Sequence, residues 1–584
     1  MGNIKPIVTK TNIMIEQSLK KGHPKGLYVL FATEMWERLN YYGMRAILVL
    51  FMTKALLFDK ALASNLYGSY TSLVYLTPLI GGFMADKYWG NKRSIITGGI
   101  LMAIGEFILF FCGSLYVSSP EVSTFLFFTG LGFMIAGNGF FKPNISSLVG
   151  QLYPKGDRRI DPAYTIFYMG INVGGALGPI LCGAVGDTGN PADFKWAFLV
   201  AGIGMVISVI VQKIYQDKYL VADDGRELGN QPENVPAILK NPFITSVGLI
   251  VLAGIFIGML YVDARIFSYI FYLLIVSLVF MAVLIFKDKA LSVIEKKKVA
   301  VIFSVAFFVV FFWSAFEQAG ASLTFFADEQ TNRHLGLVIP KWIIYIVYAG
   351  LLYYLFTTWK RAVKNLKEND LSLLRGAQVV IGILAIIIIY STFNLILGTG
   401  NNLDLNEVPA SAFQSLNSVF VVSFAPMFAW LWLKLGKSEP ASPTKMAMGL
   451  MLLAIGFLVI AFGVKNVQPG VKVSMLWLTS MYLLHTWGEL CLSPIGLSLV
   501  NKLSPLKYAS MLMAVWFLAN AFANKLAGVL SALYPEAGKV TSFMGYHMTN
   551  LYEFFMLFVI LAGVASLILF GLTKSLQKLM NADK

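Results

Sequence analysis

Long apolar runs follow one another along this chain with short polar connections between them, and the polar positions inside the runs are few and clustered. A hydrocarbon layer about 30 Å thick asks for roughly 20 apolar residues per helical crossing. Such runs lie near 27–55, 62–85, 94–117, 121–150, 162–186 and 195–214, then 243–261 and 265–286, then 299–326, 342–359, 376–398, 412–433, 446–464, 474–500, 508–533 and 550–573. The pattern predicts an all-α polytopic membrane protein of about sixteen helices. The first run breaks the apolar rule most openly, with TEMWERLNYYGMR from Thr33 to Arg45. Residues three and four apart share a helix face, so Glu34, Glu37, Arg38, Tyr41 and Arg45 form one polar stripe, while Phe31, Met35, Leu39 and Leu50 can face elsewhere. An ionised group at the bilayer centre costs about 3 kcal/mol on insertion scales, so the stripe must face protein or a water-filled path. Mutual neutralisation of Glu37 and Arg38 is the plain alternative, and the density of charge favours the functional one.

Composition agrees and adds an orientation. Of 584 residues, 57% are hydrophobic and 13% charged, with a mean hydropathy of +0.69; soluble domains carry about 25% charged residues. No large soluble domain fits between the runs. The net charge of +15 would suit nucleic acid, but the cations sit in the connections without interleaved aromatics, so no nucleic-acid partner is expected. With a cytoplasmic amino terminus, the inner connections hold Lys92 and Arg93, Arg158 and Arg159, Lys213 and Lys218, Lys296 to Lys298, Lys360 and Arg361, and Lys434 and Lys437. The outer connections 114–121 and 398–412 carry no cation. This positive-inside bias places both termini in the cytoplasm. No cleavable leader is read before the first run, which serves as its own insertion signal. Cys112, Cys182 and Cys491 lie in separate runs without metal or redox spacing, so neither a disulfide nor a metal site is expected.

Two stretches carry recognisable motifs. The connection after the second run reads GGFMADKYWGNKR, with Asp86, Lys92 and Arg93 at the inner face; a short turn holding a carboxylate and several cations can make ionic contacts in one conformation and release them in another. It resembles the corresponding loop of the major facilitator superfamily. From Gly137 the chain reads GNGFFKPNISSLVGQLY, with Lys142 within the membrane just before Pro143. Pro143 removes a backbone donor and can break the helix there, and Lys142 needs a carboxylate, for which Glu34 and Glu37 both stand open.

Together with DRRIDPAYTIFYMGINVGGA, FFWSAFEQAG, QSLN, SPTKMAMGL, GELCLSPIGLS and VWFLANAFANKLAG, these stretches resemble the proton-dependent oligopeptide transporter family, bacterial type. The resemblance implies a major facilitator fold of two six-helix bundles plus extra helices: a segment 1–26, a first bundle over 27–215, a linker with two helices over 216–298, a second bundle over 299–575, and a tail 576–584. Residues 335–410 depart from the family pattern by inserting two further apolar segments, read as peripheral spans because IGILAIIII is too uniformly apolar for an interfacial helix. The resemblance also implies that Glu317 takes up the proton and pairs alternately with an arginine of the first helix, Arg38 or Arg45, and that Glu34, Glu37, Arg38 and Lys142 form a coupled ionic group.

Charge complementarity suggests how a zwitterionic peptide would bind. Arg38 and Lys142, with Tyr42 and Tyr75, would hold its carboxylate; Glu489, with Asn172 and Asn417, its amino end; Trp313, Trp487 and Trp516 would form side-chain pockets. The expected activity is import of di- and tripeptides with protons by alternating access, in a monomer in the bacterial inner membrane, with no cofactor beyond the coupling proton. The sequence carries no GxxxxGK[ST] loop, HExxH or catalytic GxSxG, which argues against an ATP-driven or enzymatic role. A relative carrying nitrate, a drug or an amino-acid derivative, or a sensor that has lost transport, are the alternatives.

Overall fold

The computed structural model describes residues 22–581 apart from 155–156, 223–224, 233–234, 237–240, 266–268, 337, 367–370, 399–401, 405–406, 469 and 537. Most of the expected amino-terminal segment and the last residues of the expected tail lie outside the described residues. Each of the sixteen apolar segments coincides with helix. Among the described residues, eleven continuous helical stretches are long and apolar enough to cross a membrane, and one of them, Lys60–Leu115, contains two of the expected segments. The chain is thus a multi-pass membrane protein.

The first half holds α1 (Lys25–Lys54), whose charges keep it outside the eleven apolar stretches, then α2 (Lys60–Leu76) continued by α3 (Pro78–Met84), α4 (Gly90–Leu115), α5 (Pro120–Gln151), α6 (Ile160–Gly186) and α7 (Phe194–Tyr219). Two more helices follow, α8 (Pro242–Arg265) and α9 (Tyr269–Lys287). The second half holds α10 (Val293–Phe316) continued by α11 (Ser322–Glu329), then α12 (Lys341–Leu366), α13 (Leu371–Leu397), α14 (Ser415–Leu435), α15 (Ser442–Val464), α16 (Met475–Leu503), α17 (Ala509–Ser531) and α18 (Leu551–Met580).

Helix ends follow local chemistry. Asp59 accepts from Leu62 N at 2.7 Å to start α2, Ser292 and Glu295 close a reciprocal cap at α10, and Asn550 accepts from Glu553 N to start α18. Pro143, which can break a helix, does not do so here: α5 runs through it from Pro120 to Gln151, as the single apolar run 121–150 predicts. One backbone bond is lost there, but dense packing of α5 against α3 and α4 keeps the helix continuous on either side.

In the first group α4 packs on α5 and α7, and α1 on α6 and α7; in the second, α10 packs on α17 and α18, α15 on α16 and α18, and α14 on α16. The groups meet along two seams, α2 against α17 and α6 against α14. The extra pair divides between them, α8 against α5 and α2, α9 against α17. Helices α12 and α13 pack chiefly on each other, with α13 reaching α7. Large apolar side chains such as Phe243, Tyr272, Val276, Phe462 and Leu567 are exposed on the outer faces of the helices, as hydrocarbon solvent allows.

Candidate functional site

Helix α1 carries its charges between close neighbours. A Cβ on Gly174 of α6 would stand 2.8 Å from Arg38 Cβ and 3.0 Å from Leu39 N, so glycine lets the two helices touch. Glu34 and Glu37 are fully buried. Arg38 donates from Nε to Glu37 Oε2 and from Nη2 to Glu37 Oε1, both at 2.5 Å, and its Nε lies 3.4 Å from Glu34 Oε1. Lys142 of α5 donates to that same Glu34 oxygen, while Asn138, one turn earlier, donates to Glu37 Oε1 at 3.5 Å. Two carboxylates answer two cations, which is the arrangement that makes burial of the set tolerable. Lys142 keeps 29% of its side chain exposed, so the cluster is reachable from that side.

A second ionic centre lies seven residues further along α1, about 10 Å at 1.5 Å per residue. Arg45 donates through Nη2 to Glu317 and through Nε to the Tyr67 hydroxyl, the latter at 2.5 Å. Glu317 opens the 3-10 turn Glu317–Gly320 that interrupts the passage from α10 to α11. Of the two arginines open as its partner, Arg45 makes the pair and Arg38 stays with Glu34 and Glu37. The Arg45 guanidinium also lies 5.8 and 5.7 Å from the ring centres of Tyr42 and Tyr67, and Arg38 lies 5.0 Å from Tyr41.

Between the groups is a cavity walled by Tyr42, Arg45 and Tyr75 from the first half and by Trp313, Phe316, Glu317, Gln414, Asn417, Ser418, Tyr482, His485 and Glu489 from the second. Glu489 accepts from Asn417 Nδ2 at 2.8 Å, and that amide also donates to Thr486 Oγ1 at 3.2 Å. Among the described residues Glu489 makes no ion pair. One wall therefore presents a cation already engaged by Glu317, and the other a carboxylate with only a neutral partner.

The structure brings five of the candidate binding residues, Tyr42, Tyr75, Trp313, Asn417 and Glu489, to the wall of one cavity. Arg38 and Lys142 lie outside this cavity wall, in the first ionic cluster. Asn172 is buried on α6 and donates to Tyr168 O at 2.9 Å. Trp516 is buried on α17 against Gly496, and Trp487 packs between Phe424 and Phe428. Sequence reasoning passed over Tyr482 and His485, although spacings of three and four put them on the face of α16 that carries Glu489. It also passed over Gln414 and Tyr67; Tyr67 has no local signal, and only the approach of α2 to α1 brings its hydroxyl to Arg45.

At the turn after α3, Asp86 is exposed. Lys92 is buried, with Nζ 3.3 Å from Asp217 and 3.8 Å from Glu227, and its N–H donates to Gly229 O at 3.0 Å. Arg93 lies 5.2 Å over Trp89. Gly90 sits at φ +73 where Asn230 crosses closely above it, so the chain that follows α7 covers this turn. At the opposite end of the helices, Lys54 pairs with Asp328 at 2.7 Å and Lys60 with Glu329 at 2.6 Å. There too, Asp187 accepts from both N and Oγ of Ser411 at 3.0 Å.

The chain is similar to known proteins in sequence and in fold. A family model described as the POT family matches residues 92–369 and 390–548. The chain is 33% identical over 527 residues to the uncharacterized transporter YclF of Bacillus subtilis, covering 88% of this chain and 89% of that one. It is 30% identical to the peptide transporter YePEPT of Yersinia enterocolitica, covering 87% and 88%. Solved structures similar to it include a peptide transporter POT in complex with sulfate, with TM-score 0.70, 27% identity and coverage of 97% and 99%. A POT family transporter in complex with 5-aminolevulinic acid has the same score and identity over 95% and 97%.

Proposed function

Because the chain belongs to the POT family, a family of transporters, we propose that it imports di- and tripeptides together with protons by alternating access of two six-helix bundles. The observation that carries this reading is the cavity between the halves, where Glu489 stands half-buried with, among the described residues, only Asn417 for a partner, across from Arg45 and the tyrosines of α1 and α2. A carboxylate drawn partly out of solvent without a counter-charge is disfavoured, and a substrate ammonium would compensate it. The ligand carboxylate would be drawn to the opposite wall, with Arg38 and Lys142 as its cationic partners in exchange for Glu37 or Glu34, which answer them here.

Glu317 is the proton site in this reading. Protonation removes the charge that holds Arg45, and with it a link across the two halves. The pairs Arg45 with Glu317, Lys54 with Asp328 and Lys60 with Glu329 all tie α1 or α2 to the α10–α11 segment. They support a state closed at the outer end, given cytoplasmic termini and a bacterial inner membrane. Asp86, Lys92 and Arg93 would act at the inner end, where Lys92 has already taken Asp217 in the last turn of α7 and Glu227 beyond it as partners. We read the chain as a monomer in the lipid bilayer, with bundles over 27–215 and 299–575.

Purified protein in liposomes tests the proposal. With an inward proton gradient it should accumulate a radiolabelled dipeptide, and Glu317→Gln should retain exchange of labelled for unlabelled dipeptide but lose gradient-driven accumulation. Folded wild-type protein that neither takes up nor is competed by any di- or tripeptide would overturn it and favour another small solute or a sensor. The small zwitterion bound by one structural relative makes amino-acid derivatives the next ligands to assay, since they present the same two poles.

A further inference from the structure

Away from the cavity, a buried ion pair stands at the seam between the halves. Lys525 of α17 has no exposed surface and Asp263 of α8 has 1%; Lys525 Nζ donates to Asp263 Oδ2 at 2.6 Å and to Ser69 Oγ of α2 at 2.8 Å. The Ser69 hydroxyl donates to the same carboxylate oxygen, and the N–H of Ile270, at the start of α9, donates to Asp263 Oδ1 at 3.0 Å. One carboxylate thereby joins α2, α8, α9 and α17. The seam beside it is tight: Ser64 and Ser531 hydroxyls are 3.0 Å apart, and a Cβ on Gly68 would stand 2.8 Å from Gly528 Cα.

The extra helices grip both sides of that seam. Tyr261 of α8 meets Phe128 of α5 edge to face with ring centres 5.7 Å apart, which fastens α8 to the first half. Phe271 of α9 meets Phe522 of α17 at 4.8 Å, which fastens α9 to the second. If α2 and α17 part, Lys525 must leave either Ser69 or Asp263, and a lysine stranded in this interior is strongly disfavoured. We propose that α8 and α9 form a clasp across the moving seam, with Asp263 the positioning residue that holds α2 against α17 in the closed state. The clasp rests on the alternating-access reading, though not on a peptide being the cargo.

The test reads the seam directly. In protein whose Cys112, Cys182 and Cys491 are replaced by alanine, Ser64→Cys supplies one thiol at a position with no exposed surface. Its rate of modification by a water-soluble methanethiosulfonate reagent is measured on the purified, monodisperse transporter in detergent. Asp263→Asn, and the double variant Asp263→Asn with Lys525→Met, which strands no charge, should each raise the rate at least about tenfold, as a shift of the closed population requires. Asp263→Glu, which keeps the charge, should restore a rate within about threefold of the parent. An unchanged rate in the folded double variant would overturn the clasp; should that variant not fold, an unchanged rate in Ser69→Ala, which keeps the ion pair and loses only the link to α2, would do the same. A raised rate in protein that transports no peptide would leave the clasp standing and remove only the peptide assignment.

Discussion

Replacing Glu489 by glutamine separates charge recognition from shape at a single position. The substituted side chain would still accept from Asn417 Nδ2 through its amide oxygen; the 2.8 Å bond from that donor to the carboxylate defines the present side-chain position, so the cavity wall changes little. What disappears is the negative charge facing the ligand ammonium. Hydrogen bonds to charged groups contribute about 1.5–3 kcal/mol, and each 1.4 kcal/mol is a factor of ten in affinity. Kd for a free dipeptide should therefore rise by about 12- to 150-fold. An N-acetylated dipeptide, which has no ammonium, should bind the wild type weakly and the variant with less than about a threefold difference. Competition against a labelled dipeptide on purified protein measures all four affinities. Equal losses for both ligands would mean that the substitution disturbed the wall rather than a charge pair, and no loss for either would place the ammonium elsewhere; each refutes the recognition scheme.

Other consequences follow from particular contacts. Tyr67→Phe removes the hydroxyl that accepts from Arg45 Nε at 2.5 Å and leaves a buried cationic donor unanswered, so thermal unfolding should report a loss of about 1–3 kcal/mol with gradient-driven uptake reduced but present. Gly174→Val would push a side chain into Arg38 Cβ and the backbone at Leu39; it should cost about 1–3 kcal/mol by overpacking and weaken dipeptide binding, while the same change at exposed Gly571 should do neither. Asp288, just beyond the end of α9, is held well below the usual carboxylate range, first by the hydrogen bond from Lys507 and then by that from Tyr508. A carboxyl lowered on folding adds stability above its unfolded value, near 4, and loses it as pH falls through the lower native value. Hydrogen exchange around 288–291 should therefore be protected equally from about pH 7 to 5 and open only in stronger acid; protection lost already near pH 6 would contradict the pairing.

Much of this molecule was legible along the chain because hydrocarbon imposes a one-dimensional rule. Each crossing must be apolar for about 20 residues, so runs such as IGILAIIII and the charged interruption TEMWERLNYYGMR declare themselves without knowledge of neighbours. Buried charge needs a partner wherever the fold puts it, which is why Lys142, Glu317 and Glu489 stood out before any contact was known. The sequence by itself thus determined the helices, their membrane character and the list of charges that had to be answered. Only the tertiary structure decided which charge answers which. Arg38 and Arg45 were equivalent candidates for Glu317 until the approach of α2 gave Arg45 the Tyr67 hydroxyl as a second acceptor, and Glu34 rather than Glu37 received Lys142. Lys525 suggested no role toward the end of its helix, and its partner Asp263 lies 262 residues away on a helix outside both bundles. Pro143, locally a helix breaker, is held within α5 by the helices around it. Partner choice is a property of distances between helices, and those distances are set by packing, at glycines such as Gly174 and Gly68, that no local pattern encodes.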